Sequence, residues 1–177
     1  PGITYNFRVQ FEDGTGEVIT EEMVPVYVDK RHYDAQARLG ERVIQADSIK
    51  GSPDTDQVRS ILQSQDRLRS TAESYISRRI GSKRDDLEQR RSKDVQEELD
   101  NLEEYADAER RRIQEFITEY EEMAESGSDM DIAIRKQRER LKKLEQRIDD
   151  RREELRQRAK VISLAPEVEN ICITLPT

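Results

Sequence analysis

The sequence predicts an α+β fold, in which a small antiparallel sheet built from both chain ends joins long helices that form a protruding antiparallel coiled-coil hairpin. Three patterns support this prediction. Residues 3 to 11 alternate between apolar and polar side chains, and residues 171 to 175 again alternate between two faces, which is typical of half-buried strands. Between these segments, residues 95 to 123 repeat apolar side chains at spacings of four and three, as in a coiled-coil seam.

The composition favours solvated helices over one thick core. Of the 177 residues, 40% are charged, 33% are apolar and none is tryptophan, and the net charge is −8. No apolar run reaches the roughly 18 to 20 residues of a membrane span, so we expect a soluble protein without a membrane partner. The chain starts with Pro1-Gly2-Ile3, which is neither a signal peptide nor an initiator methionine. We therefore expect it to be part of a longer protein.

The N-terminal region, residues 1 to 50, is predicted to hold a strand hairpin and a short helix. The polar turn Asp13-Gly14-Thr15-Gly16 follows the first strand, and a second extended stretch covers residues 18 to 28. Pro25 cannot donate a hydrogen bond to a neighbouring strand, so it predicts a sheet edge there. Residues 36 to 46 predict one short helix with an apolar side.

Residues 51 to 81 are predicted to form a connecting helix. Ser52 can cap its start, and Pro53 suits the first turn. The apolar stripe of this helix continues to Ile80, where Gly81 interrupts it. Two alternatives remain open at this glycine: the helix ends there, or a long helix runs through it with some loss of stability.

Residues 82 to 160 are predicted to form the antiparallel helical hairpin, with a polar turn near residues 126 to 130. Residues 94 to 125 carry 13 acids and 3 arginines, whereas residues 131 to 160 carry 12 bases and 7 acids. An acidic helix should therefore pack on a basic one. The predicted seams are Val95, Leu99, Leu102, Ala106, Glu109, Ile113, Phe116, Tyr120 and Met123 on the first helix, and Ile134, Leu141, Leu144, Ile148 and Leu155 on the second. Residues 161 to 177 are predicted to return to the sheet as a strand.

Residues with catalytic or metal-binding chemistry are scarce. No phosphate-binding loop, nucleophile elbow, histidine pair or Cys-x-x-Cys motif occurs. The glycines Gly14 and Gly16 fit a hairpin turn better than a phosphate site. His32 lies near Asp29 without a nucleophile, which favours ordinary surface contacts, and Cys172 lies within a strand, which favours a buried small side chain. We predict no catalytic residue, no metal site and no cofactor in this chain.

Two basic tracts are candidates for contact with nucleic acid. The second runs from Arg135 to Lys160, but the acidic helix of the hairpin can neutralise it. In the first, Arg79, Lys83 and Arg90 share one helix face, so they could follow a phosphate backbone. Neither tract has interleaved aromatic residues for stacking on bases. The predicted binding residues are those of the first tract: Arg78, Arg79, Lys83, Arg84, Arg90, Arg91 and Lys93.

Several segments resemble one protein family. Residues 126 to 135, the charged pattern that continues to residue 155, and the closing Pro166-Glu167-Val168 and Ile173-Thr174-Leu175-Pro176 are similar to the C-terminal region of prokaryotic SNF2-type (HepA-like) ATP-dependent DNA helicases. The stretch from Phe11 to Glu17, with Pro25-Val26-Tyr27-Val28-Asp29, resembles the segment that follows the second motor lobe of that family. Residues 78 to 87, with their glycine, resemble the family's break before its long arm.

The resemblance implies a non-catalytic accessory domain of a DNA-dependent ATPase. ATP and Mg would bind to ATPase lobes located upstream in the parent polypeptide, because none of the family's ATP-binding motifs occurs here. The partners implied are those lobes, double-stranded DNA, and another protein held by the helical arm, in a prokaryotic cytoplasm at the nucleoid. The alternative, from another class, is a free-standing coiled-coil module that scaffolds or dimerises.

Overall fold

The computed structural model describes residues 1–46 and 55–175 and has the predicted α+β class. The chain divides into two compact units. The first comprises Pro1–Leu87 together with Val161–Thr177, and the second comprises Glu88–Lys160. The division thus falls near the predicted start of the hairpin at residue 82 and coincides with its predicted end at residue 160.

The first unit is built on a five-stranded antiparallel sheet made from both chain ends, as predicted. The strands are β1 (Gly2–Glu12), β2 (Val18–Asp29), β3 (Ala35–Gln36), β4 (Ile162–Ser163) and β5 (Glu167–Thr174). The central strand β1 pairs with β2 on one side and with both β4 and β5 on the other, while β3 pairs with the outer side of β2. At the middle of β1, Tyr5 lies opposite Val26 and Ile171.

One face of this sheet forms the main hydrophobic core. All the odd-numbered residues of β1 from Ile3 to Phe11 are buried, together with three valines of β2. Helices α2 (Thr55–Leu62) and α3 (Gln65–Glu125) supply the residues that pack with them. These helical residues are Ile61, Leu68, Ala72, Ile76 and Ile80. Burying each large side chain contributes about 1.5–3 kcal/mol to the free energy of unfolding.

The turn between β1 and β2 is closed by Asp13. Its Oδ1 accepts hydrogen bonds from the backbone N–H of Thr15 (2.9 Å) and of Glu17 (3.2 Å) and from the Thr15 hydroxyl (2.6 Å). Gly16 has a φ of 87°, a value that favours glycine. These contacts confirm the predicted hairpin turn and account for the glycine.

Pro25 lies where β2 has no outer partner strand. Strand β3 pairs only with Tyr27 and Val28. Helix α1 (Ala37–Gln45) packs on β2, and its Gly40 lies so close to Pro25 that an added Cβ would sit 2.4 Å from the Pro25 carbonyl oxygen. The predicted sheet edge at Pro25 is therefore covered by a helix rather than by a strand.

Helix α3 is continuous through Gly81, which resolves the alternative left open by the sequence. The break in the helical region instead lies at Gln63 and Ser64, between α2 and α3. Ile80 is buried in the core and Leu87 packs against it, so packing on both sides of Gly81 offsets its low helix propensity. The predicted start of the connecting helix at Ser52 and Pro53 lies outside the described residues.

The second unit is a helical hairpin made of the remainder of α3 and of α4 (Asp131–Ala159). Helix α3 ends at Glu125 in a Schellman motif: the Ser128 N–H donates to the Met123 carbonyl (3.1 Å), and the Gly127 N–H donates to the Ala124 carbonyl (3.0 Å). Gly127 takes a φ of 99°, which this motif requires. The predicted turn near residues 126 to 130 is confirmed.

The seam of the hairpin follows the predicted pattern with one shift. Its buried cluster contains Ala106, Ile113, Ile117, Leu144 and Ile148, with Leu102 and Leu141 packed against it. Ile117 was not among the predicted seam residues. A straight α-helix has 3.6 residues per turn, whereas a strict four-three repeat averages 3.5 residues per turn. The buried stripe therefore drifts away from the strict repeat along the helix. Phe116 and Tyr120 are consequently half-buried and stack on each other, with ring centroids 6.3 Å apart, and Met123 is 38% exposed.

The two helical glycines should respond oppositely to alanine substitution. A Cβ at Gly81 meets no atom within 4 Å, so Gly81→Ala should raise the free energy of unfolding by about 0.5–1 kcal/mol through helix propensity. Gly40→Ala should lower the free energy of unfolding by about 1–3 kcal/mol, because the added Cβ forces the Pro25 backbone to move. Chemical denaturation followed by circular dichroism checks both. Destabilisation by Gly81→Ala would contradict a continuous α3.

Candidate nucleic-acid interface

A ladder of ion pairs joins the two helices of the hairpin. As the residue number on α3 rises from 98 to 121, the partner on α4 falls from 158 to 138, as an antiparallel arrangement requires. This confirms the predicted packing of an acidic helix on a basic one. The pairs are Glu98–Arg158 (3.4 Å), Glu98–Arg151 (3.5 Å), Glu103–Arg152 (2.5 Å), Glu109–Arg140 (3.2 Å), Arg110–Glu145 (2.7 Å) and Glu121–Arg138 (2.9 Å).

The pair between Arg110 and Glu145 has the strongest geometry in this ladder. Arg110 donates from Nε to Glu145 Oε1 (2.7 Å) and from Nη2 to Oε2 (2.9 Å), a bidentate contact, and from Nη1 to Asp107 (2.9 Å). The hydrogen bonds to Glu145 and Asp107 raise the pKa of Arg110, and the hydrogen bonds from Arg110 lower the pKa of Glu145. Both groups therefore stay charged over a wide pH range.

Two members of the predicted binding tract, Lys83 and Arg91, contact residues that are distant in the sequence. Lys83 pairs with Glu22 on β2 (2.6 Å) and lies 5.9 Å from the centre of the Phe11 ring. Arg91 donates from Nε to the carbonyl of Arg158 at the end of α4 (2.8 Å). These contacts join residues far apart in sequence, so local charge spacing could not anticipate them.

The other predicted residues are either held by local contacts or exposed without an ion pair in the described residues. Arg84 pairs with the adjacent Asp85 (2.9 Å), and Arg78 donates to the Ser74 carbonyl (3.4 Å). Arg79, Arg90 and Lys93 are exposed and make no ion pair within the described residues. Arg79 belongs to the first unit, and Arg90 and Lys93 belong to the second. Of the expected common face of Arg79, Lys83 and Arg90, Lys83 is held by Glu22 of the sheet, while Arg79 and Arg90 are exposed.

A different basic surface lies on α4. It belongs to the second basic tract, Arg135 to Lys160, which was expected to be neutralised by the acidic helix. Four cations repeat at spacings of four, three and four residues, which places them on one face of the helix. Together with residues of α3 they line an open groove of about 550 Å³. The lining residues are Tyr105, Glu109, Ile113, Lys136, Glu139, Arg140, Lys143, Leu144 and Arg147. We call Lys136, Arg140, Lys143 and Arg147 the α4 basic row.

One member of the α4 basic row, Arg140, is neutralised by the facing helix α3. Arg140 pairs with Glu109, the polar residue that interrupts the predicted seam and that is held also by Arg112 (3.8 Å). Lys136, Lys143 and Arg147 are exposed and have no ion pair in the part of the chain that the structure describes. The regular spacing of these cations was visible in the sequence. The sequence did not show which of them pair with the acidic helix.

The candidate histidine makes local contacts only. His32 is exposed, and its Nδ1 lies 3.0 Å from Asp29 Oδ1, which also accepts the backbone N–H groups of Arg31 and His32 at 2.9 Å. Burial alone would raise the pKa of Asp29, but these hydrogen bonds outweigh it and lower the pKa. The carboxylate thus shapes the loop after β2, as the predicted ordinary surface contacts suggest.

The prediction that Cys172 is buried is wrong. Cys172 lies opposite Thr4 on β5, and its side chain is exposed. Thr4 belongs to the even-numbered side of β1, opposite the side that forms the main core, and β5 has only β1 as a partner strand. The thiol therefore faces away from the main core.

Residues 1–46 and 55–175 contain no group of three or more His, Cys, Asp or Glu side chains placed to hold a metal ion. Within the same residues, no helix is both long enough and apolar enough to cross a membrane. No protein-family model, curated protein or solved structure matches the chain.

The Arg110–Glu145 contact predicts a specific dependence of stability on pH. The pKa of Glu145 is lowered from 4.5 in the folded protein, so its stabilising effect is present above that value and is lost as the pH falls through the folded pKa. Glu145→Gln should therefore be less stable than the native chain near neutral pH, and the difference should shrink on acidification. Thermal unfolding of both proteins from about pH 7 to 3 measures this difference in stability.

Glu139→Gln provides a matched control for this experiment. Glu139 lies on the same helix and makes no ion pair within the described residues. It should show a smaller difference from the native chain near neutral pH. Equal differences for the two variants would mean that the bidentate contact does not stabilise the hairpin.

Proposed function

We propose that this chain is the non-catalytic C-terminal accessory domain of an SNF2-type DNA-dependent ATPase or helicase, and that its hairpin is the arm with which the domain guides DNA. One observation carries the proposal. The hairpin buries its seam and neutralises most arginines of α4 internally, yet leaves Lys136, Lys143 and Arg147 exposed without a partner carboxylate in the described residues. Cations left out of such a ladder are available to an external anion.

The resemblance of the sequence to SNF2-type helicases supports the identity of the parent. ATP and Mg would be bound by ATPase lobes upstream in the same polypeptide, and this chain would hold no cofactor. Docking onto those lobes and recruitment of another protein are the other roles open to the arm. Such a parent would act in the prokaryotic cytoplasm, at the nucleoid.

The parent ATPase gives a direct test. In the full reading frame, residues 103 to 152 would be replaced by a short Gly-Ser linker, which can bridge the ends because Glu103 and Arg152 are in contact across the hairpin (2.5 Å). The variant should keep basal ATP hydrolysis and lose most of its stimulation by DNA. Unchanged stimulation, or a reading frame without ATPase lobes, would contradict the proposal.

The alternative of a free-standing scaffold predicts a different oligomeric state. The seam residues Ile113, Ile117 and Ile148 are already buried within one chain, so a second chain has no exposed seam on which to pack. Sedimentation equilibrium of the 177-residue chain should therefore show a monomer. A stable dimer would favour the scaffold and weaken the accessory-domain proposal.

A further inference from the structure

Helix α4 carries cations on both sides of the hairpin seam, and only some of them pair with α3 among the described residues. On one side of α4, Arg138, Glu145 and Arg152 each pair with a residue of α3 at 2.9 Å or less. On the other side lies the α4 basic row, where Arg140 pairs with Glu109 and the other three cations have no ion pair within the described residues. The α4 basic row thus leaves a surplus of positive charge on its side of the helix.

The surplus arises because α3 offers little acid opposite this row. Tyr105, which lines the groove and is 51% exposed, contributes no carboxylate. Glu109 is already shared between Arg140 and Arg112. Glu139 of α4 also lines the groove, so the lining has four cations and two carboxylates.

The spacing of the row suits a linear polyanion. From Lys136 to Arg147 the helix rises about 16 Å, a length over which duplex DNA presents about ten phosphate charges. Lysine ammonium groups act as point charges on flexible stems and bind phosphates without strict geometry. A regular row of this kind fits a repeating backbone better than the irregular carboxylates of an acidic protein.

The groove also indicates which form of nucleic acid would bind. Tyr105 is the one aromatic residue among its lining residues, so successive bases would find no series of rings on which to stack. Backbone phosphates of a duplex require no such series. Because the whole chain has a net charge of −8, the contact should be local, weak and sensitive to salt.

We infer that the α4 basic row is a binding site for the phosphate backbone of double-stranded DNA, with Lys136, Lys143 and Arg147 as the contacting cations and Tyr105 as a hydroxyl donor beside them. This inference rests on the proposed function, since it assigns the DNA-guiding role of the arm to particular residues. The inferred DNA contact therefore lies on α4 rather than in the predicted basic tract on α3.

The test compares two triple variants of the 177-residue chain with equal loss of charge. The row variant carries Lys136→Gln, Lys143→Gln and Arg147→Gln. The control variant removes three other exposed α4 cations that make no ion pair in the described residues, namely Arg135→Gln, Lys142→Gln and Arg156→Gln. Fluorescence anisotropy of a labelled duplex of about 20 base pairs measures binding between about 50 and 200 mM salt.

The row variant should bind the duplex at least about tenfold more weakly at low salt, and the slope of log affinity against log salt should fall by about two to three. The control variant should lose much less affinity. Exchanging the row lysines for arginine should retain binding. Circular dichroism would verify that all variants are folded.

Three results would overturn the inference: no binding by the native chain at low salt, equal losses for the two triple variants, or competition by poly-glutamate as strong as by unlabelled duplex. The last result would indicate an acidic protein as the ligand. These failures are distinguishable from failure of the proposed function. A parent ATPase that still needs its arm for stimulation, but whose row does not bind DNA, would use the arm for docking.

Discussion

Burial of the apolar face of β1 is the constraint on which the first unit depends. Tyr5, Phe7 and Phe11 must be covered on one side of the sheet, and α2 and α3 cover them. Because β1 pairs with β2 from the start of the chain and with β5 from its end, both termini are needed to complete the sheet. The chain leaves this unit after Leu87 and returns at Val161, so the segment between must reverse direction. A hairpin is the simplest solution, and the Schellman turn at Gly127 provides the reversal.

Electrostatics organises the second unit. Its apolar seam is thin, with Ala106 and four larger residues at its centre, and the ion pairs that flank it are partly exposed. Partly exposed pairs contribute little each, but they set the register, since a shifted hairpin would place like charges together. Arginine supplies the partners in this ladder, and its planar fork suits the bidentate contact with Glu145. The exposed lysines of α4 are left out of it. This division supports a structural role for the paired arginines and a binding role for Lys136, Lys143 and Arg147.

Local periodicity predicted most elements of the fold. The alternation in β1, the turns at Gly16 and Gly127, and the two seams were all visible in the sequence. The limits of that reasoning are physical. Gly81 lowers helix propensity by about 1 kcal/mol, but packing at Ile80 and Leu87 overrides a term of that size. Cys172 fits the alternating pattern of its strand. However, β5 is an outer strand, and the face that carries Cys172 is exposed. The resemblance to SNF2-type helicases stays a prediction.

The sequence by itself determined the fold class, the antiparallel hairpin and the complementary charges of its helices, because these follow from patterns between near neighbours. Only the tertiary structure decided which cations are free. Lys83 is held by Glu22 from a distant strand, and Arg140 is held by Glu109 from the facing helix, whereas Lys136 and Lys143 remain exposed. Ion pairing depends on distances of a few ångströms between residues far apart in the chain, and spacing along one helix does not contain those distances.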